Sequence, residues 1–530
     1  MRSRLMILLL LLLFSSAFAV YAADDKQDAV PRFEIKQFRV EGNTLLDAAR
    51  MEKLLAPFTG KDRDFGTVQE AIDALENAYR RLGYSTVAVA LPEQEMESGI
   101  VRVKVTENRI GKLTIKGNRY FDEANIRRSL PALRQGETPN LNDLSRSLKQ
   151  ANENPAKKIN LQLLNSDKEN EVDANIEVKD ERPWKAGITF DNTGTSDTGR
   201  TRVGALLQHA NLLNRDHLVT LQYITAPEKL DKVNIYSAGY QIPFYSLGSS
   251  LQMIGAYSNV DSGTISAAGA DMNVSGKGTI LGIHYNQNLT RIGNYEHKVI
   301  LSIDYRAYEN NVNILGVQIG NNVTVHPVSI SYAGMFSMEN INAGFYLTGL
   351  HNIPGYWDGR DSDVDFEAAR TGSSGSYNIL RYGANAAYSF GGDWQVRALI
   401  NGQFTNDRLV PGEQYGIGGA TSVRGFQERQ FSNDEGYSGS LELYSPDISK
   451  LFGVTDFQSR LLAFYDRGYV SRKTYLPGET SVQIAGIGPG LRITDGKRFS
   501  LSTDLGFVVD PDENTTRWSA AWHIALNILF

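Results

Sequence analysis

The chain has 530 residues, with 54 Lys+Arg against 60 Asp+Glu, a net charge of −6 and 22% charged residues. That balance excludes a disordered chain and a basic nucleic-acid binder, and the absence of Cys removes disulfides, thiolate metal sites and cysteine nucleophiles together. A mean hydropathy of −0.31 suits an exported soluble protein and a transmembrane β-barrel equally, because only alternate residues of such a barrel face lipid.

Arg2 and Arg4 precede an apolar run from Leu5 to Ala17, and Val20-Tyr21-Ala22 places small residues where a signal peptidase cuts. The run is shorter than the roughly 18 to 20 residues a membrane span needs, so residues 1–22 are predicted to be a signal peptide. A short segment, 23–32, follows.

Phe38-Arg-Val-Glu-Gly-Asn43 recurs as Leu113-Thr-Ile-Lys-Gly-Asn118, and Val101-Arg-Val-Lys-Val105 is answered by Ala174-Asn-Ile-Glu-Val178. Alternating strands closed by a Gly-Asn turn, repeated at nearly constant spacing, predict two tandem copies of one small domain, 33–107 and 108–181. In the first copy Val68, Ile72, Leu75, Tyr79 and Leu82 share one helix face. Thr67 with Glu70 reads as the capping box of that helix and Gly83 as its stop. A shorter helix is expected from Asp47 to Leu55, and the second copy repeats the pair at Asp122 to Leu130 and Asn142 to Ala151.

From Pro183 onward period-2 alternation replaces the helical signal to the last residue. Trp184, Ala186, Ile188 and Phe190 alternate with Lys185, Gly187, Thr189 and Asp191; Val299, Leu301, Ile303 and Tyr305 and then Trp394, Val396, Ala398 and Ile400 do the same in their segments. A soluble sandwich or propeller would also alternate. Trp184, Tyr257, Tyr285, Tyr305, Trp394 and Trp518, however, recur near segment ends, where an interfacial girdle of a membrane barrel would place them. Residues 182–530 are therefore read as a barrel, long enough for about 14 to 18 strands. Trp518, Ala520, Trp522, Ile524, Leu526, Ile528 and Phe530 share one face of a strand that ends on the aromatic.

Chemical motifs are few. The sequence has no HExxH, Walker or G-x-S-x-G pattern, and its seven His residues show no metal spacing, so no enzyme, metal or cofactor is expected. Asp361-Ser-Asp363-Val-Asp365 is similar to a calcium loop, but Phe366 and Gly372 stand where Gly and Glu belong, and a solvated outer loop is the plainer reading. Two segments stand out by position. Arg424 lies in the Gly-rich stretch Gly418-Gly-Ala-Thr-Ser-Val-Arg-Gly-Phe426, and Asp466 lies inside the strand-like run Leu461 to Val470. A buried charge needs a partner, so the two could pair if the loop around 411–435 folds into the lumen; two ordinary hairpin turns are the alternative.

Val423-Arg424-Gly425-Phe426 resembles the VRGY/F loop signature of the Omp85 superfamily, Phe464-x-Asp466-x-Gly468 resembles its F-x-D-x-G strand motif, and the tandem units resemble POTRA domains. The whole arrangement resembles the outer-membrane transporters of two-partner secretion, the ShlB/FhaC/HecB family. The resemblance implies a 16-stranded antiparallel transmembrane β-barrel preceded by two POTRA domains, with Arg424 and Asp466 anchoring a lumen loop and Val423, Gly425, Phe426, Phe464 and Gly468 in support. It implies that Phe530 closes the signal read by the barrel assembly machinery. The expected partners are a secreted protein, such as a large β-helical adhesin or cytolysin, and outer-membrane lipid; nucleic acid is not one. An Omp85-type assembly or insertion factor is the alternative. Relatives carry an amino-terminal helix that plugs the barrel. Only Ala23 to Arg32 precede Phe33 here, which leaves the loop carrying Arg424 as the expected constriction.

Overall fold

A computed structural model describes residues 31–530 apart from 96–97, 197, 261–262, 268–269, 275–276, 310–312, 315–316, 319–320, 474–479 and 514. The expected signal peptide 1–22 and all but the last two residues of the segment 23–32 lie outside the described residues. The chain divides into two compact units, one ending at Asn108 and one beginning at Arg109.

In the first unit a three-stranded sheet runs in the order Gln37–Glu41, Ile100–Glu107, Val87–Ala90, the first pair parallel. The helices Ala48–Leu55 and Phe65–Arg81 cover it. Val68, Leu75 and Tyr79 from the long helix meet Val101 and Val103 of the central strand in a sealed core. The long helix starts earlier than the expected capping box. Asp64, not Thr67, caps it by accepting the Thr67 backbone N–H at 2.9 Å, since a carboxylate suits the positive helix end better than a hydroxyl. Gly83 does adopt the left-handed stop, at φ +97°. A two-stranded sheet, Phe33–Ile35 with Gly60–Arg63, was not foreseen, because Gly60-Lys-Asp-Arg63 carries no apolar alternation.

The repeated Gly-Asn turn has one physical cause in both copies. A Cβ at Gly42 would lie 2.2 Å from the Val105 carbonyl oxygen, and one at Gly117 would lie 2.3 Å from that of Val178. Both glycines have positive φ, so only glycine fits. Asn43 and Asn118 then bridge three residues ahead, to the carbonyls of Leu46 and Phe121. An acid from the last strand, Glu107 or Asp180, collects the free N–H groups that follow the turn.

The second unit opens with the sheet Arg109–Lys116, Glu171–Asp180, Lys157–Asn165 and the helices Glu123–Ser129 and Leu141–Asn152. It continues into a closed barrel of 16 antiparallel strands running from Trp184–Asp191 to Ala520–Leu529. One strand is interrupted at His326, giving Val323–Val325 and Pro327–Ser337. First and last strands pair from Ala525↔Asp191 to Leu529↔Gly187, and the Phe530 N–H donates to the Ala186 carbonyl at 2.8 Å, so the terminal aromatic is part of the seam. Ile188, Leu207, Leu281, Leu301, Ile330 and Leu441 stand exposed on the outside, while the inward positions carry Ser, Gln, Arg, Asp and Glu. Trp184 and Trp394 at one rim and Tyr257 and Trp518 at the other are exposed. Tyr305 instead turns toward His326 and Trp357, with centroids at 5.5 and 6.0 Å.

The turns nearest the second small domain, which form the base of the barrel, are fused to it. Leu218 and Tyr245 from the barrel join the core of Ile126, Leu144, Ile176 and their neighbours. Inside that contact the fully buried Lys157 Nζ donates to Asp216 at 2.6 Å, Asn125 Oδ1 at 2.7 Å and Ser129 Oγ at 2.8 Å. The Tyr245 hydroxyl donates to the same carboxylate at 2.5 Å. Burial pushes the Lys157 ammonium down and Asp216 pulls it back; burial and the same carboxylate hold the Tyr245 phenol well above its usual range. Removing one partner of such a pair is expected to cost about 3 to 5 kcal/mol, whereas neutralising both costs far less. Lys157→Met should therefore expose the link near Pro183 to protease while the barrel stays folded, and the double variant Lys157→Met, Asp216→Asn should regain most of the protection. Equal cleavage of wild type and Lys157→Met would contradict this.

Candidate functional site

Between the strands Trp394–Phe404 and Glu435–Tyr444 the chain leaves the wall at the top of the barrel and descends into the lumen as a hairpin. Its arms pair through Tyr415–Ile417 and Phe431–Asn433, and its tip carries Arg424. Gly418 and Gly419 turn with φ near +100°, and Gly425 at φ +103° directs its N–H to His523 Nε2 at 3.1 Å.

The structure brings Arg424 and Asp466 together. Arg424 Nε donates to Asp466 Oδ2 at 2.7 Å and a terminal nitrogen donates to Oδ1 at 2.7 Å, a two-pronged pair. The Arg424 backbone N–H donates to Oδ2 at 3.0 Å and Ser440 Oγ donates to Oδ1 at 2.6 Å, so the carboxylate takes four hydrogen bonds. The other terminal nitrogen lies 2.8 Å from Glu442 and 3.5 Å from Asp504. The guanidinium carbon lies over Phe464, 3.5 Å from the ring centroid. Arg424 is 4% and Asp466 0% exposed. Desolvation at that depth is compensated only when the donors and lone pairs are filled, and here they are.

Val423 and Phe426 sink into an apolar nest with Ile417, Val470, Ile484 and Val508. Gly468 is the floor under Val423: a Cβ there would stand 2.9 Å from the Val423 side chain. The tip also rests against backbone. A Cβ at Gly486 would lie 1.9 Å from the Arg424 carbonyl oxygen, and one at Gly506 2.4 Å from the Gly425 nitrogen. Sequence reading missed Ser440, Glu442, Asp504, His523, Gly486 and Gly506. The period-2 glycines of Gly486-Ile-Gly-Pro-Gly490 were the available signal, since a strand bare on one face leaves room for something to lie there.

The neck of the hairpin has a separate anchor that no motif announces. The buried Glu413 carboxylate receives Arg306 at 2.8 Å, Arg381 at 2.9 Å and the Tyr308 hydroxyl at 2.7 Å. Gln403 Nε2 staples both arms, donating to the carbonyls of Glu413 and Asp434 at 2.9 Å each. Asp434 pairs with Arg370, which follows the short helix Asp363–Ala369 at the top. There the residues that resembled a calcium loop have structural work. Asp365 completes a capping box with Ser362, Asp363 accepts the Gly375 N–H and the Ser374 hydroxyl, and Asp361 accepts the Gly355 N–H. Among the described residues no group of acids and histidines is arranged to hold a metal.

Because the tip fits only against bare backbone, Gly486→Ala should push it out of its seat. The variant should fold as a barrel yet conduct ions better than wild type in a planar bilayer. Gly439→Ala, whose Cβ would stand 3.5 Å from its nearest neighbour, should leave conductance unchanged. Equal conductance in the two variants would contradict the seating.

Comparison with known proteins agrees with this geometry. Residues 33–108 match the POTRA domain, ShlB-type. The outer membrane transporter CdiB of Dickeya dadantii is 27% identical over 182 residues, 34% of this chain and 32% of that protein, so the match spans about a third of the relative's length. The heme/hemopexin transporter protein HuxB of Haemophilus influenzae is 21% identical over 520 residues, 96% of this chain and 89% of the relative. The solved structure of CdiB from Escherichia coli superimposes with a TM-score of 0.75 at 19% identity, covering 97% of this chain and 93% of that one. BamA from Haemophilus ducreyi lacking POTRA domains 1-3 gives 0.52 at 14% identity, covering 94% and 100%; these two likenesses show the fold. Residues 170–493 match the haemolysin secretion/activation proteins, and with the lumen hairpin, the sixteen strands and the ShlB-type domain in the same chain, the chain belongs to the ShlB/FhaC/HecB family.

Proposed function

We propose that this protein is the transporter of a two-partner secretion system, taking one unfolded exported protein from the periplasm through its barrel to the cell surface. The barrel lies in the outer membrane with the small domains on its periplasmic side, so the base is the mouth through which a substrate enters. The observation that carries the reading is a lumen lined by polar side chains and obstructed by a hairpin whose tip is held by hydrogen bonds and one ion cluster, without covalent fixation. Such contacts break and re-form when an incoming chain offers others. A peptide group left bare in hydrocarbon costs several kcal/mol, and polar walls remove that cost during passage.

Capture in the periplasm fits the first unit. Among the described residues its outer strands, Gln37–Glu41 and Val87–Ala90, each pair with a strand on one side only, and an extended chain adds to such an edge through backbone hydrogen bonds that demand no one sequence. Binding of that kind is weak enough for handover. No nucleotide site is invoked; folding of the substrate outside gives direction. We assign Arg424 and Asp466 to holding the hairpin and Phe464 and Gly468 to shaping its seat, a role in transport and not in catalysis. Phe530 is assigned to barrel assembly.

Deleting the gene in its native host should abolish surface delivery of one secreted protein and leave other outer-membrane barrels at normal levels. A general loss of barrels would instead mark an assembly factor and overturn the transport reading. Complementation with Asp466→Arg should restore a heat-modifiable barrel in the membrane but reduce export; export at the wild-type level would remove the assigned role of the anchor.

A further inference from the structure

Beneath the hairpin, toward the periplasmic mouth, the lumen wall holds a cleft of about 410 Å³. It is formed by the lower ends of five strands, Trp394–Phe404, Glu435–Tyr444, Gln458–Ser471, Val482–Thr494 and Phe499–Asp510. Its charged lining is Arg397, Arg460 and Arg492, with Gln and Ser side chains and Tyr444 between them; no Asp or Glu lines it.

The three arginines are not equivalent. Arg492 is held two-pronged by Asp504, at 2.8 Å for each contact. Arg460 grips the periplasmic turn through the Asp393 side chain and carbonyl, at 2.7 Å each, and the Ser445 carbonyl at 3.0 Å. Arg397 is exposed. It donates to Gln395 Oε1 at 2.7 Å and to the Tyr444 hydroxyl at 3.5 Å and lies 4.4 Å from the Tyr444 ring centroid; it stands across the strand pair from Glu442, and among the described residues no direct ion pair is formed by it. A guanidinium oriented by a ring and an amide, with no carboxylate in direct contact, presents its fork to whatever carboxylate arrives. Concave walls of one sign concentrate ligands of the other.

We propose that this cleft is a recognition site for acidic side chains of the polypeptide in transit, with Arg397 as the residue that meets the carboxylate. The proposal deepens the transport reading and rests on it. Three features select an extended acidic peptide over a lipid headgroup. The cleft opens into the lumen and not to the outer, lipid-facing side. The neighbouring Gln395, Gln458, Ser500 and Ser502 offer hydrogen bonds to backbone amides as well as to an anion. The cleft also adjoins the wall acids that hold the hairpin tip: the Tyr444 hydroxyl donates to Glu442 at 2.7 Å, and Asp504 stands between Arg492 and Arg424. A substrate carboxylate at Arg397 therefore reaches the hairpin's seat from below.

The test uses the purified full-length protein in detergent and two fluorescein-labelled decapeptides, alternating Glu-Ser and alternating Gln-Ser. At low salt the Glu peptide should bind about tenfold more tightly. The difference should shrink as salt rises, and it should vanish in Arg397→Glu and fall in Arg397→Gln, both of which should keep wild-type heat-modifiable migration. Equal affinity for the two peptides, or an undiminished preference in Arg397→Glu, would overturn the proposal. So would phosphatidylglycerol micelles displacing a probe in an Arg397-dependent way while the Glu peptide does not. Loss of the single exported protein on gene deletion, together with no peptide preference, would leave the transport reading standing and this site refuted.

Discussion

A guanidinium stripped of water inside a membrane-spanning cylinder is tolerated only where every donor finds an acceptor, and Arg424 meets that condition through elements far apart in sequence. Asp466 and Phe464 come from one strand, Ser440 and Glu442 from its neighbour, and Asp504 from the wall beyond. The wall must be closed and in register for these groups to converge. The hairpin must also press its backbone against strands that carry glycine at Gly468, Gly486 and Gly506. The ion cluster and the glycine seat are thus one constraint seen from two sides: the charge sets where the tip ends, and the missing side chains allow it to arrive.

The remaining polar contacts divide the molecule into firm and labile parts. The Lys157–Asp216 contact is sealed among apolar side chains, so the second small domain and the barrel base behave as one piece. The hairpin neck is held by Glu413 and Gln403, so the hairpin is tied to the wall at its neck as well as at its tip. In the proposed direction of transport the Arg397 cleft comes before that tip. In the proposed route, capture by strand edges, charge recognition at the mouth and displacement of a polar hairpin follow one another through non-covalent contacts alone.

Much of the fold was legible because the repeating units have simple periods. The Gly-Asn repeats were visible since both copies need the same close approach of backbone to backbone. The barrel was visible because lipid demands an apolar residue at every second position. Arg424 and Asp466 were legible through short motifs and a family resemblance; the residues alone left two ordinary hairpin turns equally open. What stayed hidden follows a physical pattern. Glu442, Asp504 and His523 are single polar residues on lumen faces that carry many others, and only three-dimensional closure distinguishes them. Gly60-Lys-Asp-Arg63 pairs as a strand by backbone alone, with no apolar face to announce it. The choice between Asp64 and Thr67 as helix cap turned on charge against the helix end, which spacing does not weigh. The Asp361-Ser-Asp363-Val-Asp365 run looked like a cation site because capping and turn-closing also favour acids in short spacing.

The central claim, that the Arg424 hairpin sits inside the barrel, is open to a clean chemical test because the chain has no cysteine of its own. Thr421 at the tip is exposed within the lumen, so Thr421→Cys places one thiol there, and Tyr356→Cys places one on an outer loop. Whole cells treated with a large membrane-impermeant maleimide should be labelled in the Tyr356→Cys variant and stay unlabelled in the Thr421→Cys variant, whose tip thiol should become reactive when Asp466→Arg is added. Labelling of Thr421→Cys as fast as Tyr356→Cys, with the anchor intact in both, would place the hairpin outside the lumen and contradict the account.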